Sequence, residues 1–198
     1  MAVFVRSHGN KKGVIIQTMS ESSFLNPHKT LLSAKVHEGM VVADFGAGSG
    51  FFTRALAREV GDGGVVWAVD IHRELLPRIK TLALAEGLHN VEVIHGDVEA
   101  VGGSNLPENH FDFCVAANLL FGLEHRGECV AEIKRVLKRG GRALVVDWAG
   151  SFGGLGPHTD HVITAAAARA LFETQGFAYV EEVPAGLYHW GFVVRKKS

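Results

Sequence analysis

The feature that most constrains this chain is a glycine-rich turn between an apolar stretch and a segment with helical periodicity. Residues 40–50 read Met-Val-Val-Ala-Asp-Phe-Gly-Ala-Gly-Ser-Gly. The nearly continuous apolar run before the turn is typical of a central parallel strand covered on both faces. Glycines let the backbone come close to a ligand, and residues 51–60 then place apolar side chains on one helical face. The stretch therefore predicts a strand, a tight turn and a helix that begins beside a ligand.

One ionisable residue interrupts the apolar run. Asp44 lies near the predicted end of the strand. A carboxyl group is costly there unless it is hydrogen-bonded. We expect Asp44 either to brace the following loop or to face a polar ligand.

The spacing of the glycines discriminates between classes of nucleotide site. A dinucleotide fingerprint needs glycines at relative positions one, three and six. Gly46 and Gly48 match the first two, but Phe51 occupies the sixth position and the third glycine comes early, at Gly50. No P-loop lysine follows the turn. The spacing disfavours an NAD-dependent oxidoreductase, and a glycine turn without any ligand stays open as an alternative.

The segment Asp44-Phe-Gly-Ala-Gly-Ser-Gly50 resembles the first motif of the Rossmann-like S-adenosylmethionine-dependent methyltransferases. In that family the loop packs on the methionine part of the cofactor. The resemblance therefore implies a site for S-adenosylmethionine. Its predicted cofactor-binding residues in this segment are Asp44, Gly46, Ala47, Gly48 and Gly50.

A second signal follows the next predicted strand, residues 65–69. Asp70 lies twenty residues beyond Gly50. An acidic side chain at such a strand end accepts hydrogen bonds from both ribose hydroxyls of an adenosine. Capping of the segment from His72 onward is the alternative, and the two roles can coexist.

A third signal, Gly96-Asp97, follows the predicted strand at residues 91–94. The resemblance implies that Asp97 meets the adenine amino group and that Gly96 lets the backbone approach the ring. An aspartate after a strand is also a common helix cap, so Asp97 alone is weak evidence for a cofactor.

Three further residues complete the predicted cofactor site. Ile71 and Val98, which directly follow Asp70 and Asp97, are implied by the resemblance to contact the cofactor. Asn118 ends the predicted strand at residues 111–117. We expect Asn118 beside the place where the cofactor's methyl group points.

The order of the predicted elements indicates an α/β fold. Strands and helices alternate five times before two final strands, 177–183 and 187–195, whose short connection favours an antiparallel hairpin. The ligand signals lie at carboxyl ends of successive strands, where open sheets bind ligands. The resemblance implies a doubly wound, Rossmann-like sheet of seven mostly parallel strands with a C-terminal antiparallel hairpin. The other predicted elements are helices at 26–38, 72–86, 128–138 and 165–175 and a strand at 142–148.

Length and composition favour one globular domain. The chain has 198 residues, of which 47% are apolar and 21% charged, as is usual for a globular protein with one sizeable core. We expect a single methyltransferase domain over residues 1–198. In it, an N-terminal cap segment, 1–38, precedes a Rossmann-like core, 39–195.

Charge and apolar runs restrict the expected partners. The formal net charge of −1 gives no global field that would gather nucleic acid. No apolar run reaches the length of a membrane span, and Val3–Val5 is too short for a signal-peptide core, so a cytoplasmic location is expected. Cys114 and Cys129 lack metal-ligand spacing and are predicted to be buried, with no metal site. The oligomeric state stays open.

The expected function is transfer of a methyl group from S-adenosylmethionine to a small molecule by in-line displacement. Such a transfer depends mainly on positioning, and it needs a general base only if the acceptor loses a proton early. His125, His158, His161 and His189 are candidates for that role, and Asn118 is a stronger candidate to line the methyl site. A cofactor-binding or regulatory domain without transfer is the alternative.

The ends of the chain point to a branch of the family. Phe24-Leu-Asn-Pro27 and Gly186-Leu-Tyr-His-Trp-Gly191 resemble the small-molecule branch that includes the quinone-biosynthesis and type 11 methyltransferases. Residues 149–161 contain four glycines and a proline after a predicted strand, as in a mobile active-site loop. We expect this loop and the N-terminal segment to cover the acceptor, with Phe24, Leu25 and Phe152 as an apolar wall and His158 or His161 as a polar contact. An N-terminal helix that merely covers the sheet is the alternative.

Overall fold

The computed structural model describes residues 24–198, which form seven strands and five α-helices; no helix separates the third strand from the fourth or the sixth from the seventh. Two single 3₁₀ turns, Leu120–Gly122 and Thr159–His161, lie in the connections. The strands are β1 Val41–Phe45, β2 Val65–Asp70, β3 Val91–His95, β4 Phe111–Ala117, β5 Leu137–Trp148, β6 Phe177–Glu182 and β7 His189–Lys196. The helices are α1 Pro27–Ser33, α2 Phe51–Val60, α3 Leu76–Ala85, α4 Arg126–Val136 and α5 Ala165–Thr174.

All seven strands form one sheet in the order β3-β2-β1-β4-β5-β7-β6. Strands β1 to β5 pair in parallel, and β7 lies antiparallel between β5 and β6. The predicted fold class is therefore confirmed, including the antiparallel pairing of the last two strands. The strand order reverses direction at β1 and β4, and ligands bind open α/β sheets at such a point.

Helices cover both faces of the sheet. On one face, α1, α2 and α3 bury Leu31, Leu56 and Ile79 against the strands. On the other face, α4 and α5 bury Ile133 and Phe172. Because both faces are covered, the central strands are apolar almost throughout, as the sequence of β1 predicts.

Several predicted boundaries are wrong for local reasons. Helix α1 ends at Ser33, because Lys35 adopts a left-handed φ of 58°. Helix α3 begins at Leu76, since residues 72–75 form a turn. Strand β5 is longer than expected and begins at Leu137, which pairs with Phe111 and stops α4 before its predicted end.

Helix α1 connects the N-terminal part of the described chain to the C-terminal strands. The Asn26 side chain caps the helix by accepting from Lys29 N at 3.1 Å, as its sequence predicts. Thr30 Oγ1 donates to Pro184 O, in the connection between β6 and β7, at 2.8 Å. The expected short apolar run Val3–Val5 and most of the cap segment lie outside the described residues.

Burial of the cysteines and the lengths of the helices bear on two further features. Cys114 in β4 and Cys129 in α4 are buried free thiols, as predicted. Within residues 24–198, none of the helices has the length and apolarity to cross a membrane.

Candidate cofactor and acceptor site

The predicted site residues lie along the carboxyl edge of the sheet. We call the part at the ends of β1, β2 and β3 the cofactor half, and the part at the ends of β4 and β5 with the start of β7 the acceptor half. The two halves meet where β1 lies beside β4.

The glycine turn after β1 has three left-handed residues, Gly46, Gly48 and Gly50, with φ of 68°, 54° and 73°. A Cβ at Gly46 would lie 2.6 Å from a methyl of Leu119, and one at Gly50 would lie 3.1 Å from Ile79. At Gly48 it would meet nothing nearer than the Gly46 carbonyl oxygen, at 3.9 Å. Of the three, Gly48 therefore faces open space, where a ligand can approach the backbone.

Asp70 ties this glycine turn to the end of β2. Its Oδ2 accepts from Gly48 N at 2.8 Å, and its Oδ1 accepts from His72 N at 2.9 Å. A carboxylate has about four acceptor positions, so Asp70 keeps two for a ligand although it is only 5% exposed. The contact to His72 is an Asx turn rather than a helix cap, because α3 begins later.

Asp44 braces β1 against α2. It is buried, and its Oδ2 accepts from Thr53 Oγ1 at 2.5 Å. Burial raises the pKa of Asp44 to about 7, and the nearby Asp70 carboxylate adds to the rise. The Asp44 side chain thus braces the first turn of α2 rather than the glycine loop that was expected, and Thr53 is a partner that the sequence did not indicate.

Gly96 and Asp97 both make contacts within the protein that need no ligand to explain them. A Cβ at Gly96 would lie 2.5 Å from the Ser104 carbonyl oxygen, so packing alone requires glycine there. Asp97 Oδ1 accepts from Glu99 N at 2.8 Å, the same i to i+2 pattern that joins Asp70 to His72. Gly96 is thus not evidence by itself for an approaching ring.

The remaining predicted cofactor residues, Ile71, Ala47 and Val98, differ in the exposure of their side chains. Ile71 is 54% exposed, directly after β2. Ala47 and Val98 are 8% and 7% exposed and pack in the core. Only Ile71 among these three offers its side chain to a ligand, and the other two have mainly backbone groups to offer.

Asn118 lies at the junction of the two halves. It is exposed, has a left-handed φ of 53°, and its N–H donates to Val146 O in β5 at 2.8 Å. The following Leu119 packs on Gly46. The end of β4 is therefore in contact with the glycine turn, where the methyl site is expected.

Asp147, near the end of β5, was not predicted as a site residue. It is buried, accepts from Phe121 N at 3.1 Å and from Trp148 N at 2.8 Å, and burial raises its pKa to about 6. It therefore fixes the turn at 120–122, which follows Asn118. The available signal was the one used for Asp44, an ionisable residue near the end of an apolar strand.

Five rings gather at the acceptor half. Ring centroids are 5.5 Å apart for Phe24 and Tyr188, 5.0 Å for Phe152 and Tyr188, and 4.2 Å for Trp148 and His189. We call these five residues the aromatic cluster. The structure thus brings Phe24 and Phe152, the two expected wall residues with rings, to the same tyrosine. Leu25 instead packs against the core on the α1 face.

The four candidate histidines separate into two groups. His125, His158 and His161 are exposed. The ring nitrogens of His189 are buried without a hydrogen-bond partner among residues 24–198, and burial lowers its pKa to about 4. His189 is therefore neutral near pH 7 and is the only one of the four within the aromatic cluster.

A cleft lies at the opposite edge of the sheet from the predicted site residues. It has a volume of about 480 Å³, is bounded by Glu38, Arg58, Gly61 and Asn90, and lies at the amino ends of β2 and β3. Across residues 24–198 no three histidine, cysteine, aspartate or glutamate side chains group as metal ligands would. The groups described at the carboxyl edge are backbone amides, the carboxyl groups of Asp44, Asp70, Asp97 and Asp147, and aromatic rings.

Comparison with known proteins agrees with this geometry. A family model described as a methyltransferase domain matches residues 43–145, just over half of the chain. A structure of a SAM-dependent methyltransferase from Aquifex aeolicus superposes with a TM-score of 0.80 at 28% identity, covering 89% of this chain and 92% of that one.

Curated relatives match a shorter region. The ubiquinone/menaquinone biosynthesis C-methyltransferase UbiE of Laribacter hongkongensis is 34% identical over 122 residues, 62% of this chain and 48% of the relative. That of Burkholderia vietnamiensis is 33% identical over 120 residues, 61% of this chain and 48% of the relative. The chain thus spans about half the length of the curated relatives it matches. By the extent of the family match, the chain belongs to the methyltransferase domain family, with the Rossmann-like fold of its S-adenosylmethionine-dependent members.

Proposed function

We propose that the chain binds S-adenosylmethionine at the cofactor half and methylates a small, partly apolar molecule held at the acceptor half. The observation that carries the proposal is the open face of Gly48, whose N–H is fixed by Asp70 at the edge where this fold binds ligands. Bound S-adenosylmethionine would supply a methyl group on a sulfonium, which is an activated leaving group.

The proposed cofactor contacts follow from the hydrogen-bond acceptors and exposed surface that each residue does not use within the protein. Asp70 has two unused acceptor positions for ribose hydroxyls. The exposed Ile71 side chain offers an apolar surface for the adenine, and Asp97 accepts from its amino group. Asn118 lines the methyl site. The other residues of the proposed cofactor site contribute mainly backbone, and they are Asp44, Gly46, Ala47, Gly48, Gly50, Gly96 and Val98.

The protein's contribution to the reaction is positioning and removal of water. Methyl transfer by in-line displacement needs the acceptor atom held close to the methyl group, and well-oriented systems gain about 7–11 kcal/mol in this way. The aromatic cluster and loop 149–161 supply the surface that holds the acceptor, and residues 1–38 are the proposed cap. A carbon acceptor atom is supported by the names of the curated relatives, which are C-methyltransferases.

A domain that binds the cofactor without transferring a methyl group is the second candidate. Turnover separates the two candidates, because only an enzyme converts S-adenosylmethionine to S-adenosylhomocysteine.

The test is an incubation of the protein with S-adenosylmethionine carrying a deuterated methyl group and a metabolite extract. We expect mass spectrometry to find the label in a low-molecular-weight product, and we expect Asp70→Ala to give much less of it. Wild-type protein that binds the cofactor but labels no small molecule would favour the non-catalytic domain. A cytoplasmic location stays a prediction, which fractionation of the expressing cells would check.

A further inference from the structure

His189 is half-buried at the start of β7, and its two ring nitrogens are its most enclosed atoms. Both ring nitrogens are shielded, and neither finds a hydrogen-bond partner in the described part of the chain. Buried polar side chains in native proteins are nearly always hydrogen-bonded. An unpaired imidazole therefore indicates that a partner from outside residues 24–198 completes the site.

His189 lies where the proposed acceptor site needs a polar group. It pairs with Trp148 across β5 and β7, at the carboxyl end of β5. Two residues earlier, Val146 accepts the hydrogen bond from Asn118 and packs on the face covered by α1 to α3. Because side chains alternate along a strand, Trp148 lies on that same face. The imidazole, stacked on Trp148 at 4.2 Å between centroids, is therefore close to the proposed methyl site.

The surroundings of His189 favour a flat apolar partner. Loop 149–161 lies over the aromatic cluster, since Phe152 contacts Tyr188 and Gly156 packs so closely on Trp148 that a Cβ there would lie 2.8 Å from the indole. Burial alone depresses the pKa of His189. The neutral imidazole therefore has one nitrogen that accepts and one that donates a hydrogen bond.

We propose that His189 determines the specificity of the acceptor site by hydrogen-bonding a hydroxyl of a flat aromatic acceptor that binds between Trp148 and a displaced loop 149–161. This inference rests on the proposed function, since it takes the acceptor half as the place where the methyl acceptor binds. Its prediction about binding is independent of whether methyl transfer occurs.

The experiment compares two probes that match in shape and differ by one hydroxyl, 1-naphthol and 1-methylnaphthalene. Fluorescence titration of the full-length protein, saturated with S-adenosylhomocysteine, should give a Kd for 1-naphthol at least fivefold lower than that for 1-methylnaphthalene. In His189→Phe the ratio should fall below twofold with the affinity for 1-methylnaphthalene kept. His189→Gln, whose amide both accepts and donates, should restore part of the ratio.

The matched control is His110→Phe. His110 also lies against a tryptophan, Trp67 at 5.9 Å, but at the amino end of β4 and exposed. This variant should keep the wild-type ratio. A ratio that is unchanged in His189→Phe, or wild-type protein that binds neither probe or both equally, would overturn the proposal.

A measurement on wild-type protein covers the case in which the variants fail to fold. With ¹⁵N-labelled histidine, 1-naphthol should shift the His189 ring nitrogens and 1-methylnaphthalene should not, and equal responses would overturn the proposal. Repeating the titration without S-adenosylhomocysteine tests the role of His189 separately from the proposed methyl transfer. A hydroxyl preference in protein that binds no S-adenosylhomocysteine would contradict the proposed function and leave the role of His189 standing.

Discussion

The cofactor half and the acceptor half of the carboxyl edge are built in different ways. In the cofactor half, residues close in sequence satisfy one another, as Asp70 does with His72 and Asp44 with Thr53. In the acceptor half, rings from the start, middle and end of the described chain meet, and the His189 nitrogens stay unpaired.

The two halves therefore suit different ligands, the cofactor in one and the methyl acceptor in the other. The cofactor half has its backbone groups fixed before any ligand arrives, as suits a reagent that is the same in every turnover. The acceptor half has a glycine-rich loop with left-handed residues at Gly153, Gly154 and Gly156. Variants in one half should therefore leave binding in the other half largely intact.

The largest effect is expected at Gly48. Gly48→Val should abolish binding of S-adenosylmethionine, because the side chain would occupy the open space beside the turn and resist the φ of 54°. Calorimetric titration would measure the loss, with circular dichroism as a check on folding.

Gly87→Val is the matched control for backbone strain. Gly87 also has a left-handed φ, 74°, and open space at its Cβ, but it lies beyond α3. It should lose a similar stability, about 1–2 kcal/mol, and keep cofactor affinity. Normal affinity in a folded Gly48→Val protein would mean that the loop is only a turn.

The second effect tests the cap. Deleting residues 1–24 should eliminate methyl transfer and spare cofactor affinity, since it removes the Phe24 contact to Tyr188 and lets water reach the methyl site. Turnover with an identified acceptor and a parallel cofactor titration would measure both.

Phe24→Ala is the milder variant, and it should raise KM for the acceptor more than it lowers kcat. If the truncated protein transfers methyl groups at the rate of the full-length protein, residues 1–24 are not a cap over the acceptor. A truncated protein that folds but loses cofactor affinity would also contradict that role.

The third effect is a pH dependence of stability at Asp44. Burial raises its folded pKa to about 7 from an ordinary 3.8, so the folded state retains a proton that the unfolded state has already lost. The contribution to stability is therefore full below pH 3.8 and declines as the pH rises to about 7, by something on the order of 4 kcal/mol.

Asp44→Asn removes that titration and keeps an acceptor for Thr53. Denaturant unfolding of both proteins from pH 4 to pH 8 should show the wild type losing stability relative to Asp44→Asn as the pH rises. A constant difference between the two would mean that Asp44 titrates normally.

Much of the cofactor half was predictable because its signals are local. The glycine turn, Asp70 at the end of β2 and Asp97 after β3 lie within a few residues of strands that apolar runs reveal. What local patterns could not reveal is that Gly96 is required by Ser104, eight residues on, or that α4 stops where Leu137 pairs with Phe111. These depend on contacts between elements.

The acceptor half was predictable only in outline. The sequence indicated that Phe24, Phe152 and the histidines of loop 149–161 would lie near the methyl site. It did not distinguish His189 from the exposed histidines, because burial of the ring nitrogens depends on how β7 pairs with β5. Asp147 was missed although it carries the same local signal as Asp44.

The cofactor half should bind S-adenosylmethionine with Asp70 as its main side-chain contact. Calorimetric titration of Asp70→Ala and Asp97→Asn tests it most directly. Asp70→Ala should bind at least tenfold more weakly than wild type, because charge-assisted hydrogen bonds are worth about 1.5–3 kcal/mol each. Asp97→Asn should lose less, since the amide keeps one acceptor. Unchanged affinity in a folded Asp70→Ala protein would contradict the account.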